Sequence, residues 1–223
     1  MRGKRGVLIC FIGVDGSGKT TQAKALCESL ARTGIKTRYV WTRFEPKLIK
    51  PLVAIAKGLF FRGKDVFSDY AGYVKTKRNL SKNTVMLTTY QYLLLLDYFL
   101  QIFQRVKVPL MRGEVIVCDR YIHDTVADLA VDYGYSDEET QKLLRSYLRL
   151  FPNPDLVFLL DLPEQLAYQR KGDVPSIDYL AQRRKIYLNM GKEYNAVALD
   201  ATKGLIELKD IVKSSVFEYL GKH

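Results

Sequence analysis

The 223-residue sequence predicts an α/β fold built on a mainly parallel, five-stranded sheet flanked by helices. Two observations carry this. Short apolar segments near residues 7–13, 37–42, 114–119, 155–161 and 196–200 alternate with longer segments of helical spacing. The first apolar segment also runs directly into a glycine-rich turn and then a helix, the order in which a buried parallel strand hands over to its crossover helix.

Val7–Gly13 is continuously apolar and ends in glycine, which fits a strand covered on both faces. Lys19–Arg32 follows as a helix with Ala23, Leu26, Leu30 and Ala31 on one face and Gly34 as its stop. Thr37–Thr42 is the second strand, through Tyr39, Val40 and Trp41. Residues 46–85 are the least regular part, punctuated by Pro46, Pro51, Gly58, Gly63 and Gly72. A long helix is predicted from about Ser81 to Val106, apolar on most sides, with one face for the sheet and another for a further surface. Glu114–Asp119 is the third strand, and Ser136-Asp-Glu-Glu139 is a capping box opening a helix through Leu150. Asp155–Asp161 and Ala196–Asp200 complete the strands, with helices over Ile177–Tyr194 and Leu205–Leu220. Neither a repeat, a low-complexity segment nor a linker divides the chain, so one domain over 1–223 is expected, with a basic helical insertion at about 46–85.

Apolar residues make up 48% and charged residues 26%, which excludes disordered, collagenous and disulfide-stapled classes. No apolar run approaches the roughly 20 residues that span a bilayer. The basic Met1-Arg-Gly-Lys-Arg leads into a glycine loop rather than a cleavage site, so no targeting segment is expected. Cys10, Cys27 and Cys118 have no pairing or metal-ligand spacing, which fits a reducing, cytoplasmic location. The net charge of +11 is uneven. Residues 46–85 carry 9 basic and 2 acidic side chains, whereas 86–168 carry 7 and 12. The acidic stretch argues against a uniformly basic nucleic-acid face, and the basic segment has no evident array of stacking aromatics.

Gly13-Val14-Asp15-Gly16-Ser17-Gly18-Lys19-Thr20 matches G-x-x-x-x-G-K-[ST], followed by Thr21. The motif lies between a predicted strand and a predicted helix, as its chemistry requires. Glycines let successive N–H groups turn toward a phosphate, and the helix N-terminus adds its positive dipole end. The pattern assigns Lys19 to the β- and γ-phosphates and the Thr20 hydroxyl to Mg²⁺. Nucleoside triphosphate binding follows, as does a P-loop NTPase fold, but GTPases, motors and small-molecule kinases share the loop.

Three further segments narrow the class: Val117-Cys-Asp119-Arg120-Tyr121 ends the third strand, Pro154–Pro163 forms the fourth and its turn, and Leu199-Asp200-Ala201-Thr202 ends the fifth. With the acidic residue inside the glycine loop, and in this order, they resemble the thymidylate kinase family of nucleoside monophosphate kinases. The resemblance implies transfer of the γ-phosphoryl group of ATP to the 5′-phosphate of dTMP. By resemblance Asp119 would hold the water shell of Mg²⁺, Arg120 would contact the transferring phosphoryl group, and Asp15 would orient the acceptor sugar or the metal's waters. Arg43 and Phe44, after the second strand, would bind the acceptor's phosphate and base, with Glu45 beside them. Tyr121, Thr125 and Asp128 fall where the family approaches the base. Arg170 opens a short lid at about 169–177 and would be its cation, with Arg183, Arg184 and Lys185 as further candidates. The family also implies a homodimer through the helix at about 84–103.

The sequence departs from the family in the acceptor region. Leu95-Leu96-Asp97-Tyr98-Phe99 lacks the arginine that the family carries in the long helix, and His123-Asp124-Thr125-Val126-Ala127-Asp128 lacks the usual tyrosine. Two other readings therefore stay open: a kinase of deoxynucleosides or other small hydroxyl acceptors with Glu45 as general base, and a non-catalytic, nucleotide-dependent nucleic-acid-binding protein.

Overall fold

The computed structural model describes residues 5–42, 50–51, 84–171 and 174–222. Strands β1 (Leu8–Gly13), β2 (Thr37–Trp41), β3 (Val115–Asp119), β4 (Leu156–Asp161) and β5 (Val197–Asp200) fall where the apolar segments predict them. Every pairing is parallel, in the order β2-β3-β1-β4-β5. Residues 8–12 are fully buried, because β1 is the central strand with helices on both faces. Phe11 and Phe158 stack across the β1–β4 pairing with ring centroids 5.2 Å apart.

Helix α1 (Lys19–Arg32) has the predicted bounds. Ala23, Leu26 and Leu30 are buried, but Ala31 is exposed, and Gln22 is buried one turn before Leu26. The helix ends in a Schellman motif: Gly34, at φ +79°, donates to Ala31 O at 3.0 Å and Ile35 to Leu30 O at 3.2 Å.

The long helix α2 covers Thr84–Ile102 and continues as a π-turn over Phe103–Lys107 and a short helix α3, Val108–Met111. Helical backbone thus runs five residues past the predicted Val106. Pro109 has no N–H for a carbonyl four residues back and its ring crowds that carbonyl, so the helix widens ahead of it.

Two helices went unrecognised in the sequence pattern, α4 (Ile122–Tyr133) and α6 (Glu164–Arg170). Both start three positions after the last residue of a strand. Between them α5 (Asp137–Leu150) has its capping box: Glu139 N donates to Ser136 Oγ at 3.2 Å and Ser136 N to Glu139 Oε2 at 2.8 Å. Helices α7 (Ile177–Glu193) and α8 (Leu205–Lys222) complete the chain. Helix α1 lies along β1, β2 and β3 with α8 beside it, while α4 and α7 pack on β1 and α7 also on β4.

The chain leaves β1 toward β2 on one side and later reaches β4 on the other. The carboxyl end of β1 is therefore the switch point at which open α/β sheets place ligands. The predicted insertion at 46–85 lies outside the described residues except for Lys50, Pro51 and the first positions of α2.

Candidate active site

The loop Gly13–Gly18 leaves β1 at this switch point. Gly13, Gly16 and Gly18 have φ of +138°, +83° and +94°, which side chains rarely tolerate. A Cβ on Gly13 would lie 2.5 Å from the Leu160 carbonyl of β4, and one on Gly16 would lie 3.0 Å from the Ala167 carbonyl of α6. The loop is thus held between β4 and α6. Ser17 N donates to Val14 O at 3.3 Å. Lys19 is buried, and its Nζ donates to Gly13 O and Val14 O, both at 2.7 Å. Burial, with help from Arg120, pushes the Lys19 ammonium down to about 8, against the pull of Asp124, Asp15 and Asp119. Thr20 and Thr21 sit exposed in the first turn of α1.

Parallel pairing sets Asp119 beside Phe11 on one side and Trp41 on the other. Its Oδ2 accepts from Thr20 Oγ1 at 2.5 Å and from the Tyr39 hydroxyl at 2.8 Å. Its Oδ1 is buried and has no hydrogen-bond partner among the described residues. A carboxylate oxygen without a donor is costly, and a hydrated cation would satisfy it. The pair Thr20 and Asp119 therefore fits Mg²⁺, which typically takes one or two protein oxygens and keeps its waters and the substrate phosphates. Among the described residues no cluster of three or more ligating side chains suggests a fully caged metal.

Arg120 follows at φ +74°. One amino group of its guanidinium binds Asp15 in the phosphate loop, and the other reaches Asp124 Oδ1 at 3.2 Å. Burial would push the Asp15 carboxyl up, but Arg120, Lys19 and Arg183 hold it well below the usual carboxylate range. Burial likewise opposes the Arg120 charge, and Asp124 and Asp15 more than offset it. Thr42 is anchored beside them, with Thr42 N donating to Asp119 O at 3.3 Å and its hydroxyl to Arg120 O. Arg43, Phe44 and Glu45 come next in the chain and lie outside the described residues.

The structure thus brings together Asp15, Lys19, Thr20, Asp119 and Arg120. Other predicted residues are placed elsewhere. Tyr121 is fully buried and its hydroxyl donates to Pro152 O at 2.9 Å, making it a core residue. Thr125 is half-buried on α4, and Asp128 binds Arg183. Arg170, exposed at the end of α6, donates to Ala201 O at 3.3 Å; Ala201 follows β5 directly. His123 is buried with neither ring nitrogen hydrogen-bonded among the described residues, and burial pushes its imidazole down to about 4 despite Asp124.

The three consecutive basic residues of α7, Arg183, Arg184 and Lys185, differ sharply. Lys185 stands in solvent, 3.6 Å from Asp137. Arg184 clamps both oxygens of Asp161, at 2.6 and 3.1 Å, and Glu164 at 3.0 Å, tying α7 to the end of β4 and the start of α6. Arg183 is 1% exposed. Tyr187 and Tyr39, both in the hydrogen-bonded surroundings of the site, were missed in the sequence. Tyr187 was findable, because it lies one turn from Arg183 between the buried Leu180 and Met190.

A phosphate loop, its lysine and threonine and a β3 carboxylate meeting at the switch point of an all-parallel sheet place the fold among the P-loop NTPases. Within that class, the family model described as "Thymidylate kinase" matches residues 68–212, more than half of the chain. A protein described as "Probable thymidylate kinase" from Sulfurisphaera tokodaii is 31% identical over 214 residues, covering 91% of both chains. "Probable thymidylate kinase 1" of Saccharolobus solfataricus is 30% identical, covering 94% of this chain and 98% of its own. "Thymidylate kinase" of Ehrlichia ruminantium is 24% identical over 94% of this chain and 97% of its own. The chain belongs to the thymidylate kinase family, whose members are nucleoside monophosphate kinases.

Proposed function

We propose that the protein transfers the γ-phosphoryl group of ATP to the 5′-phosphate of dTMP, giving dTDP. The observation that carries this reading is the meeting of the phosphate loop with Asp119 and Arg120, in a chain of this family. The acceptor is already an anion, so the chemistry needs no general base. It needs two repelling polyanions brought into line and the developing charge offset. Gly13–Thr21 cradles the donor phosphates, and Lys19 neutralises their charge. Thr20 and Asp119 would hold Mg²⁺, which when bound would offset charge on the donor phosphates. Arg120 contacts the transferring group, Asp15 orients the acceptor's sugar or the metal's waters, and Arg170 supplies a cation from the lid side. Arg43 and Phe44 are assigned to the acceptor's phosphate and base, with Glu45 next to them in the chain. A hydroxyl acceptor with Glu45 as base, and a non-catalytic role on nucleic acid, are not favoured by the family membership.

The test is a coupled ADP-release assay over the common nucleoside monophosphates and deoxynucleosides. Turnover with dTMP above the rest is expected, and absence of turnover with every monophosphate sinks the reading.

A single kinase domain acting as a homodimer completes the proposal. Tyr92, Leu96, Leu100 and Phe103 form one face of α2 and its π-turn, 68%, 56%, 45% and 41% exposed. An apolar stripe of this kind marks an interaction surface. No described helix is long and apolar enough to cross a membrane. All three cysteines are free, as a reducing cytoplasm would keep them.

A further inference from the structure

We propose that Tyr187 and Arg183 of α7 are positioning residues for the transfer, holding Arg120 in its working orientation through Asp124. The proposal rests on the reading of Arg120 as the group that meets the transferring phosphoryl.

The contacts form one continuous buried path. Arg183 Nη2 donates to the Tyr187 hydroxyl at 3.0 Å, and that hydroxyl donates to Asp124 Oδ1 at 2.8 Å. The same Oδ1 accepts from Arg120 at 3.2 Å, and the other amino group of Arg120 binds Asp15 in the phosphate loop. At the other end of the path, Arg183 is fastened by Asp128. Arg183, Tyr187, Asp124, Arg120 and Asp15 are 1%, 1%, 0%, 7% and 5% exposed.

The proton directions along this path are determined by chemistry. A guanidinium only donates, and a tyrosine hydroxyl has one proton. With Arg183 donating to it, the Tyr187 hydroxyl must spend its proton on Asp124. Asp124 Oδ2 is already committed to Tyr121 N at 3.0 Å, at the start of α4. The hydroxyl therefore settles where Oδ1 points, and Oδ1 is one of the two anchors of the Arg120 guanidinium. Arg120 needs such anchoring because its φ of +74° is one that L side chains rarely adopt.

Asp15 and Asp124 both face Arg120, and Asp128 faces Arg183, so each of these three carboxylates meets a cation. Buried ion networks contribute little net stability against apolar packing. This one ends on the phosphate loop, where orientation of a donor governs rate.

The experiment compares the full-length wild type, Tyr187→Phe, Arg120→Lys and the double variant in steady-state assays with ATP and dTMP. Phenylalanine keeps the ring and removes only the hydroxyl. Tyr187→Phe is expected to lower kcat about tenfold or more, with both KM values within about twofold. In the Arg120→Lys background the same change is expected to cost less than about twofold, because a lysine cannot bridge two carboxylates. A kcat within twofold of wild type, or an equal loss in both backgrounds, overturns the proposal. Should the wild type turn over no monophosphate, the functional reading fails, and the orientation is decided in the substrate-free protein by NMR of the arginine side chains. Slow exchange of the Arg120 guanidinium protons that becomes fast in Tyr187→Phe supports the proposal; unchanged exchange overturns it.

Discussion

The Thr20 hydroxyl donates to Asp119 Oδ2 at 2.5 Å, joining the first turn of α1 to the last residue of β3. Ninety-nine positions separate the two residues in the chain, and the parallel β1–β3 pairing brings them to one point. Asp119→Asn keeps the shape and removes the charge. A fall in kcat of about a hundredfold or more is expected, with a raised magnesium requirement. Initial rates over a magnesium series check it; a rate within threefold of wild type at every concentration excludes Asp119 from the metal site.

Lys19, with its ammonium pushed down to about 8 by burial and then by Arg120, titrates in an accessible range. Phosphate binding requires the cation. ATP affinity is therefore expected to be constant below pH 8 and to weaken by up to about tenfold per pH unit above it. Calorimetric titrations with ATP from pH 7 to 9.5 measure this. The folded value lies below the usual lysine range, so the cost of burying this charge is present at neutral pH and is relieved as pH rises through 8.

His123 has an imidazole pushed down to about 4 by burial, from the ordinary 6.5. The unfolded chain takes up a proton below 6.5 that the folded chain refuses until about 4, so stability falls as the medium is acidified across that window. Linkage puts the His123 share at about 2 kcal/mol between pH 7 and pH 5. His123→Leu removes that share. Urea denaturation at both pH values should show a smaller acid-side loss in the variant; equal losses refute the assignment.

The apolar face of α2 predicts association. Sedimentation of the wild type is expected to give twice the 25.6 kDa chain mass. Leu96→Glu, at a position 56% exposed, should return the monomer with its fold intact. A wild-type monomer at micromolar concentration would remove the dimer from the proposal.

Gly13→Ala places a Cβ 2.5 Å from Leu160 O at φ +138°. Leu160 O belongs to the backbone and cannot swing aside, so the loop must shift. A loss of ATP binding of at least about tenfold is expected, along with destabilisation of about 1–2 kcal/mol. Thermal-shift measurements with and without ATP separate the two effects.

Much of the architecture was legible because it depends on local pattern. Continuous apolar runs, glycine stops, the Ser136–Glu139 capping box and the glycine loop each state their structure within a few residues. The loop's ligand class and the carboxylate at the end of β3 came with them. Helices α4 and α6 were less legible, since α4 carries His123, Asp124 and Asp128 among its apolar residues and α6 is only seven residues long. Residues 43–45, predicted to serve the acceptor, lie outside the described residues.

What the sequence alone determined, then, is the sheet, the phosphate loop and the identity of the charged groups. Only the tertiary structure decided how those charges are used. Arg183, Arg184 and Lys185 are neighbours in the chain, yet one is sealed beside Tyr187, one clamps Asp161 and one stands in water. Helical geometry points consecutive side chains about 100° apart. What each then meets depends on which strands and helices pack around α7, through pairings that span much of the chain and leave no mark in local spacing.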